Sequence, residues 1–240
     1  MKDPIEVRVL VSRAVKGAYL ALVPGFEAAS GIKVVTTWSS TGDIVKQVAS
    51  NEAFDLVIAA ASTIEGFIDA EQVIADSRVD LMRSGVGIAV KAGAPRPDIG
   101  SGEAVKQALL AARSVGYSQG PSGVYLLRLF ETMGIAAQLQ AKATQSTPGI
   151  PVAHYIASGA VELGFQQVSE LINQPDITLL GPLPADIQNV TVFSSGVLRR
   201  AIAPAEARAL QAYLAAPASD AAIAKNGMEP ARVDSEIIFR

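Results

Sequence analysis

Lys33-Val34-Val35-Thr36-Thr37, then Ser39-Ser40-Thr41-Gly42-Asp43, then Asp55-Leu56-Val57-Ile58-Ala59 form the stretch that decides the fold. Its two apolar runs, rich in β-branched residues, read as buried strands, and Ile44–Ser50 between them reads as a helix. Upstream, Val7–Val11 is a further strand ending at Ser12. A helical stretch from about Val15 to Ala29 follows and runs to a stop signal at Gly31. Pro24 inside it removes one backbone hydrogen bond and is expected to bend it. Downstream, Ser62–Ala75 reads as helical. The order β-α-β-α-β-α predicts a parallel sheet with helices on both faces.

The same grammar returns in the second part. Gly85–Lys91 is a strand, Pro95–Gly100 a turn-rich connection and Gly102–Ala112 a helix. Strand Val115–Ser118, loop Gln119–Gly123 and helix Val124–Met133 come next. Then follow a helix at about Pro151–Ser158, strand Val161–Phe165, a short helix near Val168–Ile172 and strand Ile177–Leu180. A loop with Pro182 and Pro184 leads to strand Val190–Val197. Two Ala-rich helices, Pro204–Ala215 and Ser219–Asn226, end at Gly227, a C′ glycine. They have no new strands to cover, so they are expected to return to the first unit. The predicted architecture is α/β in two lobes, each a mainly parallel sheet flanked by helices. Residues 1–84 and 196–240 would form one lobe and 85–195 the other. Two crossings, near 84–85 and 193–196, would make a hinge with a ligand cleft between the lobes.

Composition narrows the chemistry. The 240 residues carry 20 Lys and Arg against 23 Asp and Glu, a net charge of −3, with 5% aromatics. That leaves no basic stripe for nucleic acid. There is no Cys and a single His, His154, so no thiolate site and little material for a Ser-His-Asp relay. Asp and Glu are scattered, so neither a metal nor a cofactor is expected. Mean hydropathy is +0.31, yet the apolar runs are short and interrupted, so no membrane insertion is expected. Met1–Glu6 leads directly into a strand, and no signal peptide is visible. The expected location is periplasmic if a leader has been removed and cytoplasmic otherwise. A monomer is expected, and the tail from Arg232 to Arg240 reads as an irregular extension.

Hydroxyls gather at strand ends that lead into helices: Ser12, Ser39-Ser40-Thr41, and Ser118 with Ser122-Gly123. In open parallel sheets ligands bind beyond the carboxyl ends of the strands. Helix N-termini there carry unpaired N–H groups and a positive dipole end. Each hydroxyl taken alone is also an ordinary N-cap; their convergence is what predicts an anion site.

Val34–Gly42 with Gln47-Val48 and Phe54–Ala60, Ser12 with Phe26-Glu27 and Gly31–Val34, Gly120–Tyr125, and Lys225-Asn226-Gly227-Met228 resemble periplasmic molybdate-type solute-binding proteins. The resemblance covers nearly the whole chain and implies a two-lobed type II periplasmic-binding-protein fold. It implies a small anionic ligand, no cofactor, and a membrane component of an ABC transporter as partner. The implied contacts are Ser12, Ser39 or Ser40, the backbone of Ala60, the backbone of Ser122 and the backbone of Val152. Thr41, Ser118, Gly123 and Tyr125 belong to the same loops.

The chain departs from that pattern. Gln167 stands where the family has a Tyr closing the pocket, Ala61 where it has an acidic residue after Ala60, and Arg13 where it has an uncharged one. Arg meets a carboxylate bidentately, and Gln166 and Gln167 suit a larger organic anion, so a carboxylate is favoured over a metal oxyanion. Ser77–Leu81, Gly87–Ile99 and Tyr117–Tyr125 resemble a branch of this fold that includes aconitate isomerase. Two readings follow: a binding protein for uptake or sensing, or a cofactor-free isomerase of a small polycarboxylate. The isomerase needs a base, for which His154, Tyr125 and Tyr155 are the candidates.

Overall fold

The computed structural model describes residues 5–50 and 52–232; the N-terminal tetrapeptide and the tail beyond Arg232 lie outside them. The chain divides into two compact units, one running to Arg83 and resuming at Val192, the other spanning Ser84–Thr191.

In the first unit, β1 (Glu6–Ser12) passes through a 3-10 turn, Arg13–Val15, into α1 (Lys16–Ser30). Gly31 ends α1 in the left-handed conformation, φ 71°, its N–H bonded to Glu27 O. Next come β2 (Lys33–Ser39), α2 (Thr41–Ala49), β3 (Leu56–Ala60) and α3 (Ala61–Asp69). β1 lies between β2 and β3, parallel to both. Helix α3 is shorter than the sequence predicts. Glu71 adopts φ 55°, and the N–H groups of Gln72 and Val73 both return to Phe67 O, a tight stop with no Gly or Pro to announce it. A second 3-10 turn covers Ala75–Ser77. The 13-residue β4 (Val79–Lys91) begins six residues before the predicted strand.

β4 continues into the second unit, followed by α4 (Gly102–Ala111), β5 (Val115–Tyr117) and α5 (Pro121–Thr132), which opens with Pro at its first position. A short α6 (Ala136–Leu139) and β6 (Ala143–Gln145) were not predicted; each is too brief to show a period. Then come α7 (Val152–Ser158), β7 (Leu163–Gln167), α8 (Val168–Leu171) and β8 (Ile177–Pro182). β5 lies between β6 and β7, parallel to both, while β4 runs antiparallel to β7 and β8. The core of this unit gathers Ile88, Leu109, Leu126, Phe130 and Phe165.

β9 (Val190–Val197) returns to pair antiparallel with β3. α9 (Pro204–Leu214), α10 (Asp220–Lys225) and β10 (Glu229–Pro230) finish the first unit, β10 pairing with Met82 and Arg83 of β4. In the first unit, Leu210, Leu214 and Ile223 of these helices share a core with Tyr19, Leu22 and Phe26 of α1.

At the end of α1, Glu27 accepts the Val34 N–H at 2.9 Å and meets Lys33 Nζ at 3.0 Å. The Val34 bond, then Lys33, hold its carboxyl below the usual range. A depressed carboxyl stabilises the fold above its unfolded pKa of about 4.3, and that contribution is lost as pH falls through the folded value. Glu27→Gln is therefore expected to lower the thermal midpoint slightly at pH 7, with the gap from wild type closing below pH 4. A gap constant from pH 7 to pH 3 would reject this account.

Candidate functional site

Three parallel strands of the first unit, β2, β1 and β3, end side by side at Ser39, Ser12 and Ala60, and Ser12 and Ser39 are register partners. The hydroxyls there differ in what they have left to give. Ser12 is buried; its oxygen accepts the Ala14 N–H at 3.4 Å, and its proton has no acceptor among the described residues. Ser40 is consumed as the cap of α2, accepting the Asp43 N–H at 3.3 Å and donating to Asp43 Oδ2 at 2.7 Å. Ser39 donates to Gln47 Oε1 at 2.6 Å. The Asp43 and Ile44 N–H groups are both bonded to Ser40, which leaves those of Thr41 and Gly42 open at the start of α2. Ala60 opens α3 with no side-chain cap, so the first N–H groups of that helix are also open.

Arg13, directly after Ser12, is exposed, and its guanidinium has no ion pair or hydrogen bond among the described residues. Next to Ser39, Trp38 packs edge-on against buried Tyr19 at 5.3 Å and carries Lys16 Nζ 5.8 Å from its ring centre. Burial pushes the Tyr19 phenol up to about 12, with its oxygen 3.0 Å from Thr36 Oγ1, inside the core of the first unit.

In the second unit Ser118 follows β5 and Ser122 lies in the first turn of α5. Both are buried, with their hydroxyl oxygens 2.8 Å apart. The Gly120 N–H donates to Ser118 Oγ at 3.2 Å. Two hydroxyls sharing one bond leave one proton over, whichever of them donates. Gly123 brings α5 against the loop, because a Cβ there would overlap the carbonyl oxygen of Ser118. Ser146, buried at the end of β6 and so beside Ser118, escaped the sequence reading because its three-residue strand did. The hydroxyl run Thr144-Gln145-Ser146-Thr147 was the available signal.

Gln166, Gln167 and Tyr125 are committed to hydrogen bonds within the second unit. Gln166 accepts the Val152 N–H at 3.0 Å and donates to Glu170 Oε1 at 2.7 Å. Gln167 is wholly buried; with its amide oriented to satisfy both ends, it donates to the carbonyls of Ser84 (2.9 Å) and Gly85 (3.1 Å) and accepts from Thr191 Oγ1. Tyr125 donates to Ile187 O at 2.7 Å, and burial, then Asp186, raise its phenol. His154 is exposed on α7, edge-on to Tyr155 at 6.2 Å. Tyr155 donates to Thr147 Oγ1 at 2.9 Å and accepts the Thr147 N–H at 3.1 Å, which together hold its phenol below the ordinary value. Among the described residues no group of His, Asp and Glu could hold a metal, and no helix is long and apolar enough to cross a membrane.

A family model described as bacterial extracellular solute-binding protein matches residues 7–229. The chain belongs to that family. It is 39% identical to the aconitate isomerase of a Pseudomonas species, over 92% of this chain and 87% of that one. The periplasmic molybdate-binding protein of Azotobacter vinelandii superposes with a TM-score of 0.78 at 18% identity, covering 92% of this chain and 98% of its own. The tungstate ABC transporter structure from Geobacter sulfurreducens gives 0.71 at 16% identity, covering 91% and 97%. At these identities the two structures establish the type II binding-protein fold and nothing finer.

Proposed function

We propose that this solute-binding protein takes a small organic anion, a di- or tricarboxylate of the aconitate class, using the donors at Ser12, Ser39 and Ala60. The observation that carries the reading is the row of adjacent strand ends at Ser39, Ser12 and Ala60, with the Ser12 proton uncommitted and Arg13 unpaired beside it among the described residues. Hydroxyls and helix N–H groups suit any oxyanion, whereas a free guanidinium adds the bidentate partner of a carboxylate. The 39% identity to an aconitate isomerase supports the same class. The proposal includes a periplasmic location, delivery to an ABC transporter and a monomeric state; the family model and the molybdate and tungstate neighbours support the first two.

Trp38, the sole tryptophan, stands next to Ser39 and serves as the reporter. Titration with citrate, cis- and trans-aconitate, molybdate, tungstate and sulfate is expected to change its emission with a carboxylate and not with the metal oxyanions. Ser12→Ala is expected to weaken binding on the order of 10- to 100-fold, the worth of a buried hydrogen bond to a charged group. Failure of every anion to bind sinks the reading, and molybdate binding without carboxylate binding reverses its choice of ligand.

The isomerase relative favours a second reading, in which this chain interconverts cis- and trans-aconitate with no cofactor. Tyr155, on α7 with its hydroxyl bonded to Thr147, is the base this reading assigns. An ultraviolet assay of either isomer decides it. Tyr155→Phe should abolish turnover while leaving binding intact, and unchanged substrate with the wild-type protein rejects the reading.

A further inference from the structure

Ser39 ends β2 beside Ser12, is 6% exposed, and spends its single proton on Gln47 Oε1 at 2.6 Å. In that state it offers an incoming anion only lone pairs, which is the wrong polarity. Gln47 projects from α2 between buried Ile44 and Val48, which hold the helix in place, and its Nε2 has no acceptor among the described residues. A carboxamide has two ends of opposite polarity and nearly the same shape. Turned over about its last bond, it would donate to Ser39 Oγ and release the hydroxyl proton.

We infer that Gln47 is a positioning residue that sets the polarity of Ser39: anion binding turns its amide, so that Nε2 donates to Ser39 and Ser39 donates to the ligand. This rests on the carboxylate-binding reading and extends it to a residue that need not touch the ligand. It also explains why a buried serine whose proton is already taken can belong to an anion site. The amide turns without moving the backbone, so the conversion is local, and Ser12 and the N–H groups of α2 and α3 are unaffected by it. An aspartate or glutamate at position 47 could not make the exchange. Ionised, it accepts only, keeping the Ser39 proton and adding a like charge near the ligand.

The test is Gln47→Glu beside Gln47→Met, with trans-aconitate as probe and the ratio of variant to wild-type Kd as readout, so that the ligand's own titration cancels. For Gln47→Glu the ratio is expected to be about tenfold or more at pH 8. It should shrink at least threefold (roughly) by pH 4.5, as a carboxyl near its ordinary pKa of about 4.3 takes up a proton and can donate again. Methionine, which neither holds the Ser39 proton nor returns a bond, should give a small ratio that does not vary with pH. Equal, pH-independent losses in the two variants, or none in Gln47→Glu, overturn the inference and leave the carboxylate reading standing. A wild-type protein that binds no anion overturns both. Should Gln47→Glu fail to fold, the side-chain amide protons of Gln47 in the wild-type protein answer instead. They should shift downfield on adding trans-aconitate, and an unmoved resonance at saturation rejects the exchange.

Discussion

Gly123→Ala is expected to cost about 2–4 kcal/mol of stability. An added Cβ would overlap the carbonyl oxygen of Ser118 and stand 2.7 Å from its carbon. Both obstacles are backbone, so no side-chain rotation relieves them. Either α5 slides away from the loop or the loop opens. Both movements pull apart the buried Ser118 and Ser122 hydroxyls, now 2.8 Å from each other, and with them the donor set of the second unit. Urea unfolding of the variant is the measurement. Gly66→Ala is the control. It sits in α3 with nothing within 4 Å of an added Cβ. Exchanging glycine for alanine there should stabilise by roughly 0.5–1 kcal/mol. A Gly123→Ala protein as stable as wild type would mean that the close approach is not needed.

Asp55→Ala is expected to cost about 3–5 kcal/mol, the penalty of leaving buried polar groups without partners. Asp55 is 3% exposed and satisfies three backbone donors, the N–H groups of Arg8 (2.8 Å), Ile202 (2.6 Å) and Ala203 (2.9 Å). It joins β1 to the segment that opens α9, tying the start of the chain to its end within the first unit. Alanine would orphan all three donors at once. Asparagine keeps one acceptor oxygen but turns an NH2 toward donors, so Asp55→Asn should fall between alanine and wild type. The order of the three proteins in urea unfolding is the measurement. A loss below about 1 kcal/mol for alanine would show that water reaches these groups readily.

How far the sequence could be read depended on the range of each interaction. The strand and helix alternation of the first unit was legible from Val7 to Ala60, because burial of alternate or successive apolar residues leaves a local period. Gly31 and Gly227, both at φ 71°, were legible as helix stops because a positive φ selects glycine. The end of α3 was not, since Glu71 carries the positive φ there and its type gives no warning. Strand ends carrying hydroxyls were equally plain, which is why Ser12, Ser39, Ser118 and Ser122 could be named from residues alone.

What those hydroxyls have left to donate was not readable. Ser40 and Ser39 are neighbours of one residue type, yet the first is consumed as a cap by Asp43 and the second turns to Gln47. Gln166 and Gln167 look alike in sequence. One is tied to Val152 and Glu170, the other to Ser84, Gly85 and Thr191. The sequence by itself therefore determined the fold class, the order of the longer elements, the family and the chemistry of the donor groups. Only the tertiary structure decided which protons are already spent. A single hydroxyl proton goes to whichever acceptor folding brings within 3 Å, and that acceptor is placed by strand register and helix packing rather than by spacing along the chain.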